Sequence, residues 1–173
     1  MAKDDFADYL EQITPTLGDP TYSILKAHLI FEDLLRTYLD KALVHPKALE
    51  GARLTFAQLL AVARSVCSEV APSHWMWKAI GDLNKLRNLL AHRLSDGRLT
   101  EKMDEYVAFV VTSLGDPLPP PTVKATTTRP RFGPESGGPL YLAVDMATVR
   151  LYGVASDNLG IPWAIETGPT DPT

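Results

Sequence analysis

The fold is decided by one stretch of this chain, Ser73 to Leu94, which reads SHWMWKAIGDLNKLRNLLAHRL. Its apolar residues recur every three or four positions, as one face of an α-helix requires. That face is formed by Met76, Ile80, Leu83, Leu90 and Leu94. The stretch therefore predicts an amphipathic helix whose apolar stripe packs against neighbouring helices.

Arg87 occupies the step of this stripe between Leu83 and Leu90. With about 100° of rotation per residue, it lies within roughly 20° of the centre of the stripe. An arginine is rarely buried without a partner, because removing a guanidinium from water costs several kcal/mol. We therefore expect a neighbouring helix, or a second copy of the chain, to hold Arg87 out of solvent.

Four more segments show helical spacing of apolar residues, and they begin near Phe6, Ser23, Thr55 and Thr100. Ser23 and Thr55 are predicted N-caps, and the spacing from Thr55 to Gln58 fits a capping box. Most connections are short, which favours antiparallel neighbours. The predicted fold class is all-α: an up-down bundle of about five helices that forms one domain, residues 1–114.

The composition changes after residue 114. Half of the 14 prolines lie between Gly115 and Pro139. Residues 115–173 are therefore predicted to form a proline-rich linker and a poorly structured C-terminal tail. Within them, the apolar run from Leu140 to Val154 fits either the alternation of a strand or the spacing of a helix, and we expect short strand-like or docking structure there.

Charge and cysteine content narrow the class of protein. The chain of 173 residues has a net charge of −4, whereas duplex-binding domains usually carry a basic excess. The single cysteine, Cys67, fits a small core residue. The acidic N-terminus and the lack of a long apolar run predict a soluble cytoplasmic protein without a membrane segment. His28, His45, His74 and Cys67 lack ligand spacing, so we expect no metal site and no cofactor.

The charge is unevenly distributed. Between residues 84 and 98 the basic side chains outnumber the single acidic one, Asp96; they are Lys85, Arg87, Arg93 and Arg98. A local positive field of this kind suits an anionic ligand, and it is equally typical of a solvated helix end.

His92 follows Arg87 by five positions, which separates the two side chains by about 140° around an ideal helix. They converge only if the helix loosens near His92 or if two copies of the helix face each other across a two-fold axis. Alternatively, His92 simply interacts favourably with the negative end of the helix dipole. On the flank of the stripe, a polar ladder with i, i+4 spacing is formed by Asn84, Asn88 and His92.

The predicted helix that begins at Ser23 carries a second polar ladder, formed by His28, Glu32 and Arg36. Glu32 and Arg36 are most simply a surface ion pair that contributes a few tenths of a kcal/mol. The other interpretation is that Glu32 pairs with Arg87 inside the bundle, as buried cations require.

The segment Arg87-Asn88-Leu89-Leu90-Ala91-His92 resembles the R-x4-6-H signature of the HEPN superfamily, in which a polar residue often follows the arginine. The preceding Leu83-Asn84-Lys85-Leu86 and the run from His28 to Leu35 fit the same pattern. The resemblance covers about residues 20 to 114 and does not extend to the proline-rich tail.

The resemblance implies a metal-independent endoribonuclease that acts as a homodimer in a prokaryotic toxin–antitoxin or RNA-targeting defence system. Arg87 and His92 would be the catalytic pair, with Asn88 as the polar adjunct. Glu32 is a further auxiliary candidate from the second polar ladder, as the side chain that would hold Arg87 in place. Single-stranded RNA would be cut by attack of its own 2′-hydroxyl, which leaves a 2′,3′-cyclic phosphate. An antitoxin or a nucleotidyltransferase is the kind of partner protein implied.

Some members of the superfamily keep the fold without nuclease activity. The alternative function is therefore a non-catalytic interaction or regulatory module in which Arg87 locks a subunit or partner interface. A third hypothesis places the function in the proline-rich tail, which would dock a partner as an extended segment.

Overall fold

The structure, a computed structural model, describes residues 20–91, 96–115 and 139–162. Within these ranges it is all-helical, with no strand. The five α-helices are α1 (Pro20–Ala42), α2 (Phe56–Val66), α3 (Trp75–Ala91), α4 (Asp96–Leu114) and α5 (Pro139–Asn158), and a 3₁₀ helix (Pro46–Leu49) follows α1. The predicted all-α bundle is confirmed. The helix predicted near Phe6 lies outside the described residues.

The helix α3 is the centre of the bundle, because it contacts α1, α2, α4 and α5. Its predicted stripe is buried at Met76, Ile80 and Leu83, and Leu90 is partly buried against the core. Fully burying side chains of this size stabilises a fold by roughly 1.5–3 kcal/mol each. The stretch that decides the predicted fold therefore also lies at the centre of the packed core. Leu94 lies outside the described residues.

Only some of the helices begin at the residues that the sequence predicted. Thr55 caps α2 as predicted. Its Oγ1 accepts a hydrogen bond from the backbone N–H of Gln58 at 3.3 Å, and Gln58 Oε1 accepts one from the backbone N–H of Thr55 at 2.9 Å. The prediction of Ser23 as an N-cap is wrong, since α1 begins at Pro20 and Ser23 is buried within it. Proline is favoured at the first helical position because its missing N–H has no partner to lose there. The helix α4 likewise begins earlier than predicted, at Asp96.

The C-terminal helix α5 settles the ambiguous apolar run. The prediction of strand-like structure at Leu140–Val154 is wrong. The run forms a helix, as its alternative spacing indicated, and this helix packs on the other helices of the bundle. The buried apolar residues of α5 recur at helical spacing and include Val144, Ala147, Leu151 and Ala155. The helix packs on α4, α1 and α3, so the bundle includes part of the segment predicted as linker and tail. Residues 116–138 and 163–173 lie outside the described residues.

Buried polar contacts tie the helices together. The Tyr106 hydroxyl on α4 lies 3.1 Å from Thr148 Oγ1 on α5, and the Thr148 hydroxyl donates to the Val144 carbonyl at 2.7 Å. Tyr106 is therefore the donor of the first bond. Cys67, at the end of α2, is buried as predicted, with its Sγ 3.6 Å from a Glu69 carboxylate oxygen.

None of the helices in the described ranges combines the length and the apolar character needed to cross a bilayer.

Gly81 lies in α3 where that helix packs on α2. A Cβ built at this position would lie 3.7 Å from Leu60 Cδ2, an ordinary van der Waals contact. Because glycine in a helix interior costs about 1 kcal/mol relative to alanine, we expect Gly81→Ala to raise the melting temperature by about 2–4 °C. Thermal unfolding followed by circular dichroism measures this.

The matched control is Gly115→Ala, just after α4. Gly115 has φ +73°, a left-handed conformation that favours glycine. This change should lower the melting temperature. A lower melting temperature for Gly81→Ala as well would show that α2 and α3 need a closer approach than alanine allows.

Candidate functional site

The polar ladders of α1 and α3 meet inside the bundle. His28 Nε2 on α1 lies 3.1 Å from Asn84 Oδ1 on α3, and the His28 ring packs on Phe56 of α2 with 4.2 Å between ring centroids. Arg87 and Asn88 follow Asn84 by about one turn on α3. We call His28, Asn84, Arg87 and Asn88 the polar cluster.

Arg87 is half-buried within this cluster. Its Nη1 donates to Asn88 Oδ1 at 3.2 Å. The ion pairs of the described residues join other side chains, and Arg87 belongs to none of them. The residue is therefore partly buried, but its hydrogen bond to Asn88 lies at the surface and no described carboxylate neutralises its charge.

His28 is the titratable member of the polar cluster that the structure describes. Burial lowers the pKa of His28 below its usual value, and the nearby charge of Arg87 lowers it further. The hydrogen bond with Asn84 and the charge of Glu32 act in the opposite direction. Because the net effect is a lowered pKa, the imidazole is neutral at pH 7.

Glu32 lies near the polar cluster but has another partner. Its Oε1 accepts from Arg36 Nη2 at 2.8 Å and from Arg36 Nε at 3.2 Å, one turn along α1. This is the surface ion pair that the ladder suggested. Among the described residues no contact joins Glu32 to Arg87, so the auxiliary role predicted for Glu32 has no contact to support it there.

His92 lies outside the described residues, directly after α3. Of the four predicted site residues, the structure thus brings Arg87 and Asn88 together and places Glu32 against Arg36. It also adds two residues to the cluster, His28 and Asn84. The sequence held a signal for them, because each begins or continues an i, i+4 polar ladder beside the apolar stripe of its helix.

A second basic surface lies in a groove of about 250 Å³ between α3 and α4. Its three lysines, Lys78, Lys85 and Lys102, are all paired within the groove. Asp82 binds Lys78 and Lys85 at 2.5 and 2.7 Å, and Glu105 binds Lys102 at 2.6 Å. Each of these cations contacts a carboxylate, which distinguishes them from Arg87.

Side chains that could bind a metal are scattered over the described part of the chain. No group of three or more His, Cys, Asp or Glu side chains there is arranged to hold a metal ion.

Comparison with known proteins yields no family model, no curated protein and no solved structure that matches the chain.

Proposed function

We propose that the chain is a metal-independent endoribonuclease of HEPN type that cuts single-stranded RNA with Arg87 and His92. The observation that carries this proposal is the state of Arg87: half-buried on the central helix, bonded to the amide of Asn88, and unpaired with any described carboxylate. A fully buried arginine is normally paired, whereas Arg87 is only partly buried and keeps donors that no described residue uses. A guanidinium with unused donors supports a role in binding phosphate.

The proposed chemistry follows from the two side chains. The imidazole of His92 takes the proton of a ribose 2′-hydroxyl, and the 2′-oxygen attacks the adjacent phosphorus. The bond from phosphorus to the 5′-oxygen breaks, and that oxygen leaves with a proton. Arg87 stabilises the charge that develops on the phosphoryl oxygens through two parallel hydrogen bonds. The products are a 2′,3′-cyclic phosphate and a 5′-hydroxyl, and because the nucleophile belongs to the RNA, the route needs no metal.

The proposal includes a cytoplasmic homodimer, acting as a toxin or RNA-targeting defence component with an antitoxin or nucleotidyltransferase as partner. Leu25 and Leu29, one turn apart on α1 and on either side of His28 in the sequence, are 40% and 64% exposed. Exposed leucines beside a polar cluster support a contact surface for a second copy. Two copies meeting there would bring two Arg87–His92 segments toward one cleft.

The same leucines favour the second candidate, a non-catalytic interaction module. In that case Arg87 and the leucines form a partner-binding face and no RNA is cut. The two candidates differ in their requirement for His92, which the first needs for proton transfer and the second does not.

Cleavage of single-stranded RNA in EDTA tests the proposal. We expect the wild-type protein to cut RNA of mixed sequence and leave 2′,3′-cyclic ends, and we expect His92→Ala to lower the rate by about 10²–10⁴-fold. The matched control is His45→Ala, because His45 is exposed and its side chain makes no capping bond. That variant should cut like the wild type. If the wild type and His92→Ala are equally inert on varied substrates, the chain is not this nuclease.

A further inference from the structure

The amide oxygens of Asn84 and Asn88 are each engaged by a neighbouring donor. Asn84 Oδ1 lies 3.1 Å from His28 Nε2 in the partly buried space between α1 and α3, and Asn88 Oδ1 accepts from Arg87 Nη1 at 3.2 Å on the exposed surface of α3. An amide oxygen only accepts hydrogen bonds, so His28 Nε2 carries the hydrogen. In a carboxamide the oxygen and the NH₂ group diverge from one planar carbon. Both NH₂ groups therefore point away from the donors that engage the oxygens.

The donors that remain lie close together on α3. Asn84 and Asn88 are four residues apart, with Arg87 between them, so all three occupy adjoining positions on the helix surface. Among the described residues neither NH₂ group donates a hydrogen bond, and Arg87 uses one of its five N–H donors on Asn88. Asn84 and Arg87 are half-buried and Asn88 is exposed, so solvent and ligand reach them.

The charge around these donors is positive. Arg87 has no described carboxylate partner, and the carboxylate that acts on His28 from α1, Glu32, is paired with Arg36 at 2.8 Å. These side chains carry a net positive charge and offer only donors, because both amide oxygens are already engaged. They therefore suit a ligand that only accepts hydrogen bonds. An oxyanion such as phosphate is that kind of ligand.

We propose that Asn84, held by His28, joins Arg87 and Asn88 in binding one phosphate group of an RNA strand. His28 is a positioning residue, because it fixes the amide of Asn84 and does not itself touch the phosphate. The identity of the ligand as RNA rests on the proposed function, but the phosphate site itself is testable without cleavage.

The test is a titration of the full chain with inorganic phosphate, followed by the ¹⁵N–¹H resonances of the asparagine side chains, with chloride at equal ionic strength as reference. In the wild type the amides of Asn84 and Asn88 should shift together and saturate. This measurement needs no substitution, so it stands even if a variant fails to fold.

Asn84→Asp is the decisive variant. It keeps an oxygen for His28 but replaces the outward NH₂ with a negatively charged oxygen, so phosphate affinity should fall by at least about tenfold. Gln58→Glu is the matched control, since it makes the same amide-to-carboxylate change on the exposed side of α2, only two residues from Phe56, and glutamate preserves the capping box. Its phosphate affinity should stay within about twofold of the wild type.

His28→Phe tests the positioning role. Phenylalanine keeps a ring against Phe56 but has no Nε2–H for Asn84. We expect the phosphate-induced shift of Asn84 to be lost while that of Asn88 persists, a pattern that a purely structural role of His28 would not produce.

Two results overturn the proposal: the absence of a saturable shift at Asn84 in the wild type, or an Asn84→Asp variant that binds phosphate like the wild type. Phosphate binding without RNA cleavage would remove the nuclease and leave this site standing. Cleavage without phosphate binding at Asn84 would do the reverse.

Discussion

Replacing Arg87 with methionine is expected to lower RNA cleavage by at least about a hundredfold while leaving the free energy of unfolding unchanged or slightly higher. Arg87 lies on the stripe of α3, half-buried and without a described carboxylate partner. Methionine has a similar length and no charge to desolvate, so it should pack on this face at least as well. Lower activity together with unchanged or higher stability is the result expected when a side chain that binds phosphate is replaced by one that packs better.

The measurement pairs initial rates on a fluorogenic single-stranded RNA with urea unfolding of the same samples. Arg64→Met is the control, because Arg64 is exposed on α2 and is not part of the polar cluster; it should keep its cleavage rate. If Arg87→Met instead unfolds the protein, or dissociates a dimer seen by light scattering, Arg87 is a structural lock and the interaction module becomes the better account.

Asp145 gives the second large effect, on stability. Its carboxyl group is on α5, only 9% exposed, and burial raises its pKa to about 6, while a hydrogen bond from Ser23 on α1 acts in the opposite direction. The folded state therefore favours the protonated acid. The stabilisation is fully present below the unfolded pKa near 4 and is lost as pH rises through about 6. The loss is on the order of 3 kcal/mol in total.

Asp145→Asn should abolish this loss, because the amide does not ionise. We expect the variant to be more stable than the wild type at pH 7.5 by about 1–2 kcal/mol, less than the full effect because the second amide hydrogen needs a partner in a buried site. Urea unfolding at pH 4.5 and pH 7.5 gives the comparison. Asp157→Asn, on the exposed side of α5, keeps Asp145 and should change with pH as the wild type does. The lowered pKa of His28 acts on the wild type and on both variants alike, so the comparison uses the difference from the wild type. A stability difference between Asp145→Asn and the wild type that is the same at both pH values would contradict the account of Asp145.

Local patterns in the sequence were enough to predict much of the bundle. The stripe from Met76 to Leu83 is buried in α3, and the capping box of Thr55 and Gln58 begins α2. Both depend on residues within one or two turns of each other. Interactions at that range are encoded by spacing alone, which is why the all-α class could be predicted.

Features that depend on tertiary contacts could not be predicted in the same way. The apolar residues from Leu140 to Val154 fitted the alternation of a strand and the spacing of a helix equally well. The helix that forms there packs on α4, α1 and α3, and these contacts stabilise it. Ser23 fitted an N-cap from its position, but its neighbour in space is Asp145 of α5. The bond between His28 and Asn84 joins residues 56 positions apart, and no spacing rule connects two different helices at that range.

Cys67 has a practical consequence for experiments on this protein. It is the single cysteine of the chain, and its thiol is buried at the end of α2 beside Glu69. A buried thiol reacts slowly with maleimides and similar reagents. A cysteine introduced at an exposed position such as Val44 therefore carries a fluorophore or spin label selectively, with the native Cys67 left in place.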